Sequence, residues 1–352
     1  MTWLLIAVPW FEKPLRPLEG GILMHSIFCQ RPLTKARSVA TLALGLVATT
    51  IVLSTAPAWA SASDAATTCA TPVTAAPAGP ATVSAASSTA YHRTLVVGSG
   101  SNAGCELYML TSDQPDATPP HFACSNNDPG SCPTVIWPAL LTNGAPLAGP
   151  GVNPQLLGTV TRTDILANTP VQQVTYDGSP VYQFFLNKAP GETHGANLFD
   201  PFTNLPGVWY LQSPGRGLPD PGVATLSHET VSVTSTGNSA VVLAALLDQG
   251  LGGQLFPVYS FSADSAHESA CLGRCALIWP PVLTNERAQA SDGVTSTLIG
   301  TVERPDGSHQ VSSAGHPLYF FIRDAALPGS PGVAHGSNVT AFGGTFNLIP
   351  PQ

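Results

Sequence analysis

Hydrophobic positions in this chain come in short bursts that alternate with polar ones, a period-two pattern that predicts strands over helices. Four bursts resemble one another: "ELYMLTSD" (106–113), "PVYQFFLN" (180–187), "PVYSFSAD" (257–264) and "HPLYFFIRD" (316–324). Side chains two apart on a strand share a face, so Tyr182 with Phe184, Tyr259 with Phe261 and Tyr319 with Phe321 are expected to point together into a core. In the first burst Tyr108 is paired with Leu110 instead. Gly178-Ser179-Pro180 and Gly315-His316-Pro317 are turn chemistry with Pro at a strand start, which predicts a hairpin joining "QVTY" to "VYQFF". The residue closing each burst (Asp113, Asn187, Asp264 or Asp324) sits where strand gives way to loop. It reads as a turn-former accepting backbone N–H bonds.

The bursts belong to a larger repeat. "WPALLTN" (137–143) answers "WPPVLTN" (279–285), "LLGTVTRTD" (156–164) answers "LIGTVERPD" (298–306), and "QVTYDGSPVYQFF" (173–185) answers "QVSSAGHPLYFFI" (310–322). Three blocks in the same order make the chain a duplication, and each half holds the tyrosine phrase twice, so a unit of roughly 60–75 residues occurs four times. The expectation is an all-β protein of two tandem homologous β domains, 90–214 and 239–352, joined by a linker, 215–238. A single four-unit, propeller-like body is the alternative, because similar units can bury their faces against one another. Abundant Gly (33) and Pro (34) with only 10% charged residues favours the turn-rich β reading over a helical one.

The N-terminal region changes the picture of where the protein works. From Met24, the cations Arg31, Lys35 and Arg37 precede an uncharged, mostly apolar run, Ser38 to Ala56, and then Ala58-Trp59-Ala60. That is the layout of a secretory signal peptide with cleavage after Ala60; an uncleaved anchor is the alternative, and residues 1–23 fit neither signal nor repeat, so translation is expected to start at Met24. Residues 61–89, almost all Ala, Ser, Thr, Pro and Val without a hydrophobic period, read as a flexible tether. No later stretch holds 18 uninterrupted apolar residues, so no membrane span is expected after cleavage.

Export makes the cysteines a disulfide question. Beyond Cys29 there are six, and the close pairs Cys124 with Cys132 and Cys271 with Cys275 are the first candidates, leaving Cys69 with Cys105 by elimination. Each short loop so closed would stabilise the fold by roughly 2–3 kcal/mol on the chain-entropy model. "TTCA" around Cys69 lacks the Leu and small residues expected before a lipid-modified cysteine. From Ser61 onward there are 8 Lys plus Arg against 19 Asp plus Glu, a net charge of −11, and no basic cluster, which excludes a nucleic-acid partner.

Tyr-x-aromatic-x-x-Asp, a close Cys pair before Trp-Pro-Pro, Gly-Thr-Val-x-Arg-x-Asp-Gly and Gly-His-Pro-Leu-Tyr together resemble a secreted-repeat family of unknown function, whose tandem units occur in exported bacterial proteins, many of them predicted lipoproteins. The resemblance covers roughly 92–213 and 239–348. It implies a secreted or cell-surface location and supplies no activity.

For chemistry the sequence offers three candidates beside their structural readings. Cys271 and Cys275 could hold a soft metal or do redox work with nearby histidines, but the equivalent pair in the first half is spaced by seven residues instead of three, which a disulfide tolerates better than a metal site. "HGAN" (194–197) and "HGSN" (335–338) could present His194 and His335 to a ligand, or be loops built on a positive-φ Gly; the family's habit of Asn-Gly at this place favours a loop. His92, His121, His228, His267 and His309 show no ligand spacing and read as surface residues. Trp137, Trp209 and Trp279 could stack on sugars or plug a core. No Gly-x-Ser-x-Gly elbow, His-Glu-x-x-His helix or phosphate loop is present, so no catalytic residue, metal or cofactor is expected. The reading is a binding or structural repeat module at the cell envelope, with macromolecules there as its partners; an extracytoplasmic metal or redox protein is the alternative.

Overall fold

The computed structural model describes residues 69–88, 91–127, 132–167, 169–200, 207–215, 217–247, 253–291, 293–324 and 332–352. The expected signal peptide, the start at Met24 and residues 61–68 of the expected tether lie outside the described residues. Residues 61–352 form one compact unit.

The first half runs through β1 (Thr82–Ser87), β2 (Arg93–Val97), β3 (Tyr108–Leu110), β4 (Leu141–Thr142), β5 (Leu147–Ala148), β6 (Leu157–Leu166), β7 (Thr169–Tyr176), β8 (Ser179–Pro180), β9 (Leu198–Asp200), β10 (Gly207–Gln212) and β11 (Pro219–Asp220). The second runs through β12 (Thr225–Val233), β13 (Asn238–Leu247), β14 (Gln254–Pro257), β15 (Tyr259–Phe261), the single helical turn α1 (Arg274–Ile278), β16 (Gln289–Ala290), β17 (Ile299–Glu303), β18 (His309–Ser313), β19 (His316–Pro317), β20 (Val333–Ala334), β21 (Val339–Ala341) and β22 (Gly344–Leu348). The fold is therefore β, distributed over several small sheets, and among the described residues these close no barrel.

The halves repeat one another in their main strand pairings. β1 pairs antiparallel with β2, Val83 opposite Val97, and parallel with β5; β12 pairs antiparallel with β13, Leu226 opposite Ala245, and parallel with β16. The Ala81 N–H donates to Thr142 Oγ1 at 3.0 Å, and the Ala224 N–H donates to Thr284 Oγ1 at 3.1 Å. These equivalences correct two boundaries. The stretch expected to be a flexible tether contains β1, which buries Val83 fully and is anchored upstream by a Cys69–Cys105 disulfide. The stretch expected to be a linker, 215–238, contains β12, the counterpart of β1. β1 is mostly Ala, Ser and Thr and β12 is rich in Ser and Thr, so few side chains mark their buried face; sheet partners on both sides supply the backbone bonds that a weak pattern hides.

The predicted hairpins are present. β7 turns into β8 through Asp177 (φ 48°) and Gly178 (φ 77°), and β18 into β19 through Ala314 (φ 48°) and Gly315 (φ 83°). Two successive positive φ values make a type I′ turn, whose twist matches that of the flanking strands. The second and fourth tyrosine phrases are thereby delivered into the core from a fixed register.

Candidate functional site

The four tyrosines meet in pairs at two corners, one per half. The backbones of Tyr108 and Tyr182 exchange two hydrogen bonds, 2.8 and 2.9 Å, and those of Tyr259 and Tyr319 exchange two of 2.9 Å. The two phrases of a half are thus antiparallel about a local two-fold, with a tyrosine pair on the axis. Antiparallel pairing sends each tyrosine toward the far end of the other phrase, so the hydroxyls and closing acids are swapped. Tyr182 donates to Asp113 at 2.6 Å, Tyr319 to Asp264 at 2.9 Å and Tyr259 to Asp324 at 2.5 Å, while Asn187 donates its amide to the Tyr108 hydroxyl at 2.9 Å.

The other oxygen of each closing residue does hold backbone N–H groups, but not those of a local turn. Asp113 accepts from Ala123, Asp264 from Ala270, Asn187 from His194 and Asp324 from His335, at 2.7–3.0 Å. The expected Asx-turn is corrected to a clamp on a later loop, six to eleven residues along, because the strand end points its acid across the sheet.

Behind two of the three Tyr–Asp couples, Tyr182–Asp113 and Tyr319–Asp264, lies a buried arginine that the sequence analysis did not single out. Arg162 donates to Gln173 Oε1 (2.6 Å), to the Tyr182 hydroxyl (3.1 Å) and to the Cys124 carbonyl (2.7 Å), and is ion-paired with Asp164 at 2.6 Å. Arg304 donates to Gln310 Oε1 (2.6 Å) and the Cys271 carbonyl (3.1 Å), and reaches Tyr319 through Ser269. The signal was available: both arginines stand at the same place in "GTV-x-R-x-D", in a segment with few cations.

Aromatic rings fill the space between the clamps. Trp137 stacks on Trp209 with centroids 3.7 Å apart, and Trp279 stacks on Phe346 at the same distance. All three tryptophans are at most 2% exposed, which closes the sugar-stacking alternative for them. The His-Gly-x-Asn loops fold over these rings. A Cβ on Gly195 would lie 2.6 Å from Trp137, and one on Gly336 would lie 2.7 Å from Trp279. The glycine is needed for this close approach, and the expected positive φ belongs instead to Asn197 (57°) and Asn338 (62°).

All three cysteine pairs are joined, Cys69–Cys105, Cys124–Cys132 and Cys271–Cys275. Oxidised and buried, Cys271 and Cys275 offer no thiolate to a metal. Among the described residues no three His, Cys, Asp or Glu side chains converge as metal ligands. His335 Nδ1 lies 3.3 Å from the Asp324 carboxylate, and His194 Nε2 lies 3.8 Å from Glu192. His228, expected at the surface, is half-buried in β12.

Burial governs the electrostatics of the corners. It pushes Asp324 up to about 6 against the hydrogen bonds from Tyr259 and His335, and pushes Asp113 up to about 6 against the hydrogen bond from Tyr182 and the charge of nearby Arg162. Glu106, two residues before Tyr108 and almost fully buried, is raised by the same cause to about 7. Asp164 feels burial too, but its bond and charge contact with Arg162 leave it below the ordinary carboxylate range.

This arrangement is the setting for a comparison with known proteins. Residues 300–345 match a family model described as a secreted repeat of unknown function. The matched segment opens at β17, contains Arg304, Tyr319, Phe321, Asp324 and His335, and closes on β22, so this secreted repeat comprises the fourth tyrosine phrase with its clamp. The description carries an extracellular location, and among the described residues no helix is long and apolar enough to cross a membrane. No curated protein and no solved structure matches the chain.

Proposed function

We propose that this is an extracellular β scaffold, a binding or structural repeat module that meets macromolecules of the cell envelope through its surface and performs no catalysis of its own. One observation carries the reading: the motif side chains that recur through the chain are spent on one another. Tyr108, Tyr182, Tyr259 and Tyr319 are fully buried, each is hydrogen-bonded to a closing residue of the other phrase, and the tryptophans between them are sealed by the glycine loops. A recurring motif so placed specifies a fold and leaves recognition to what varies outside it.

In this reading the chain is exported by the segment ending at Ala60, and its halves are two homologous modules that begin near Gly79 and Gly222. Support for those starts comes from the matched bonds Asn143 N–H to Gly79 O, 3.1 Å, and Asn285 N–H to Gly222 O, 2.8 Å. The test is a native mass spectrum of protein recovered from its own host, set beside the denatured mass and a titration of free thiols. Equal masses and no reactive thiol are expected; an excess mass corresponding to a metal, a haem or a small molecule would replace the scaffold by a ligand-carrying protein.

A further inference from the structure

The two halves reach the same strand by different routes. An offset of 143 residues relates Thr82 to Thr225, where β1 and β12 begin, and Gly79 to Gly222 just before them. In the second half the approach is itself sheet: β11 pairs with β10, Leu211 opposite Asp220, and runs on through Gly222 to β12. The same offset carried upstream sets Cys69 against Gln212, the last residue of β10. Gln212 is fully buried and donates its N–H to the Leu107 carbonyl at 3.0 Å; Cys69, almost as buried, is bonded to Cys105, two residues from Leu107. A covalent bond stands where the second half has a strand end.

The segment that follows Cys69 is not held as β11 is. Pro72, Pro77 and Pro80 bring no N–H to a ladder, residues 71–81 form no strand, and Thr71, Thr74, Ala75 and Ala76 are exposed. The Val73 N–H donates to the Thr134 carbonyl at 3.2 Å, and the Gly79 carbonyl accepts from the Asn143 N–H at 3.1 Å. This strap crosses Val97, Leu140, Leu141 and Gln183, which are only 3–8% exposed, and leaves a space of about 430 Å³ between itself and them. So few contacts offset little of the entropy lost when a mostly exposed segment is ordered.

We propose that the Cys69–Cys105 disulfide operates residues 69–81 as a locked strap: joined, it holds the strap over this face of the first half, and open, it releases the strap and uncovers the face. Joining residues 36 apart confines the strap before it seats, which removes much of the entropy that seating must overcome. Formation of the bond takes two electrons and two protons from the two thiols and passes them to a disulfide oxidant, which leaves as a dithiol. The strap therefore locks only once the chain is in an oxidising compartment. The second half needs no such lock, because β10 holds its approach. The inference concerns how the first half is closed and stands apart from what the scaffold's surface meets.

The test is amide hydrogen exchange on the full oxidised chain and on the Cys69→Ser/Cys105→Ser variant. Val73 and Asn143, whose N–H groups seat the strap, should exchange at least about tenfold faster in the variant, while Asn285, which makes the equivalent bond to Gly222, keeps its parent rate. Asn143 at its parent rate overturns the proposal, because the strap then sits without the bond. Equal acceleration of Asn143 and Asn285 overturns it too, because the bond then supports only the fold as a whole. Should the variant fail to fold, the folded parent chain is partly reduced with dithiothreitol and alkylated, and molecules alkylated at Cys69 and Cys105 are compared with molecules alkylated at Cys271 and Cys275. Faster exchange at Asn143 in the first population alone is expected; the same exchange in both overturns the lock.

Discussion

Tyr108 and Tyr259 occupy equivalent corners, yet one meets an amide and the other a carboxylate. Asn187 donates to Tyr108 and accepts from the His194 N–H; Asp324 accepts from both Tyr259 and the His335 N–H. The tyrosine hydroxyl reverses its role to suit, and the backbone around it keeps the same register. What the corner requires is a planar group with two hydrogen-bonding ends. Charge is an addition of the Tyr259–Asp324 couple, and it makes that couple, unlike Tyr108–Asn187, respond to pH.

The largest effect should come from removing what the corners share. Trp137→Ala and Trp279→Ala each delete a buried ring stacked at 3.7 Å on its neighbour, at an expected cost of about 4 kcal/mol, read from urea midpoints at constant slope. Equal losses would show that both halves rest on the same ring stack. A loss under about 1 kcal/mol in one half would mean that its glycine loop can collapse into the space.

The arginines sharpen the comparison because their surroundings differ. Arg162→Met leaves Asp164 without its ion-pair partner, whereas Arg304→Met removes hydrogen bonds to Ser269, Gln310 and the Cys271 carbonyl and strands no close-paired acid. The first should cost about 3 kcal/mol and the second about 2 kcal/mol, the order following from the stranded charge. A reversed order in the same denaturation series would show that the Asp164 pair contributes nothing.

Exchanging the corner residues tests the charge directly. Asp324 has a folded-state value of about 6, above its ordinary 3.8, so the folded protein holds this proton more tightly than the unfolded chain does. The resulting stability is present below about pH 4 and lost as pH rises through about 6, amounting to about 3 kcal/mol for a shift of this size. Asp324→Asn should flatten the stability curve by that share, and Asn187→Asp should install a slope of the same sign in the first half. Glu106 and Asp113 tilt the parent curve the same way, so the comparison is between variants measured from pH 4 to 8. Identical curves for parent and Asp324→Asn would remove the distinction between the corners.

Much of this construction was legible in the residues. Period-two alternation identified the faces of Tyr182, Phe184, Tyr319 and Phe321, the turn dipeptides placed the hairpins, and cysteine spacing paired the staples. What alternation cannot reveal is which strand lies opposite, so the exchange of tyrosine and acid between phrases was hidden although both members were known. β1 and β12 escaped for a different reason: "TVSAAS" and "TLSHETVSV" bury few large side chains, and their strand character comes from partners far along the chain. Their shared Gly-x-Ala-Thr-(Val/Leu)-Ser, at Gly79 and Gly222, was the available signal. Arg162 and Arg304 were masked by an ordinary expectation that cations lie in solvent, which two arginines at one repeat position contradict.

The smallest expected effect separates the two histidine loops. His335 keeps its N–H on Asp324 whatever its side chain is, while its imidazole, about a third exposed, adds a charge contact at 3.3 Å. His335→Ala should therefore leave the loop clamped and cost only a few tenths of a kcal/mol, as exposed ion pairs do. Its informative consequence lies in the titration. Without the imidazole Asp324 loses one of the groups holding it down, so the loss of stability on alkalinisation should move to higher pH. His194→Ala, facing neutral Asn187, should produce no such movement at its own corner. If both variants move the curve equally, the imidazoles act through the general charge of the surface; if only His335→Ala does, the second corner contains a carboxylate tuned by its own loop, and the asymmetry between amide and acid extends to the residues that close over them.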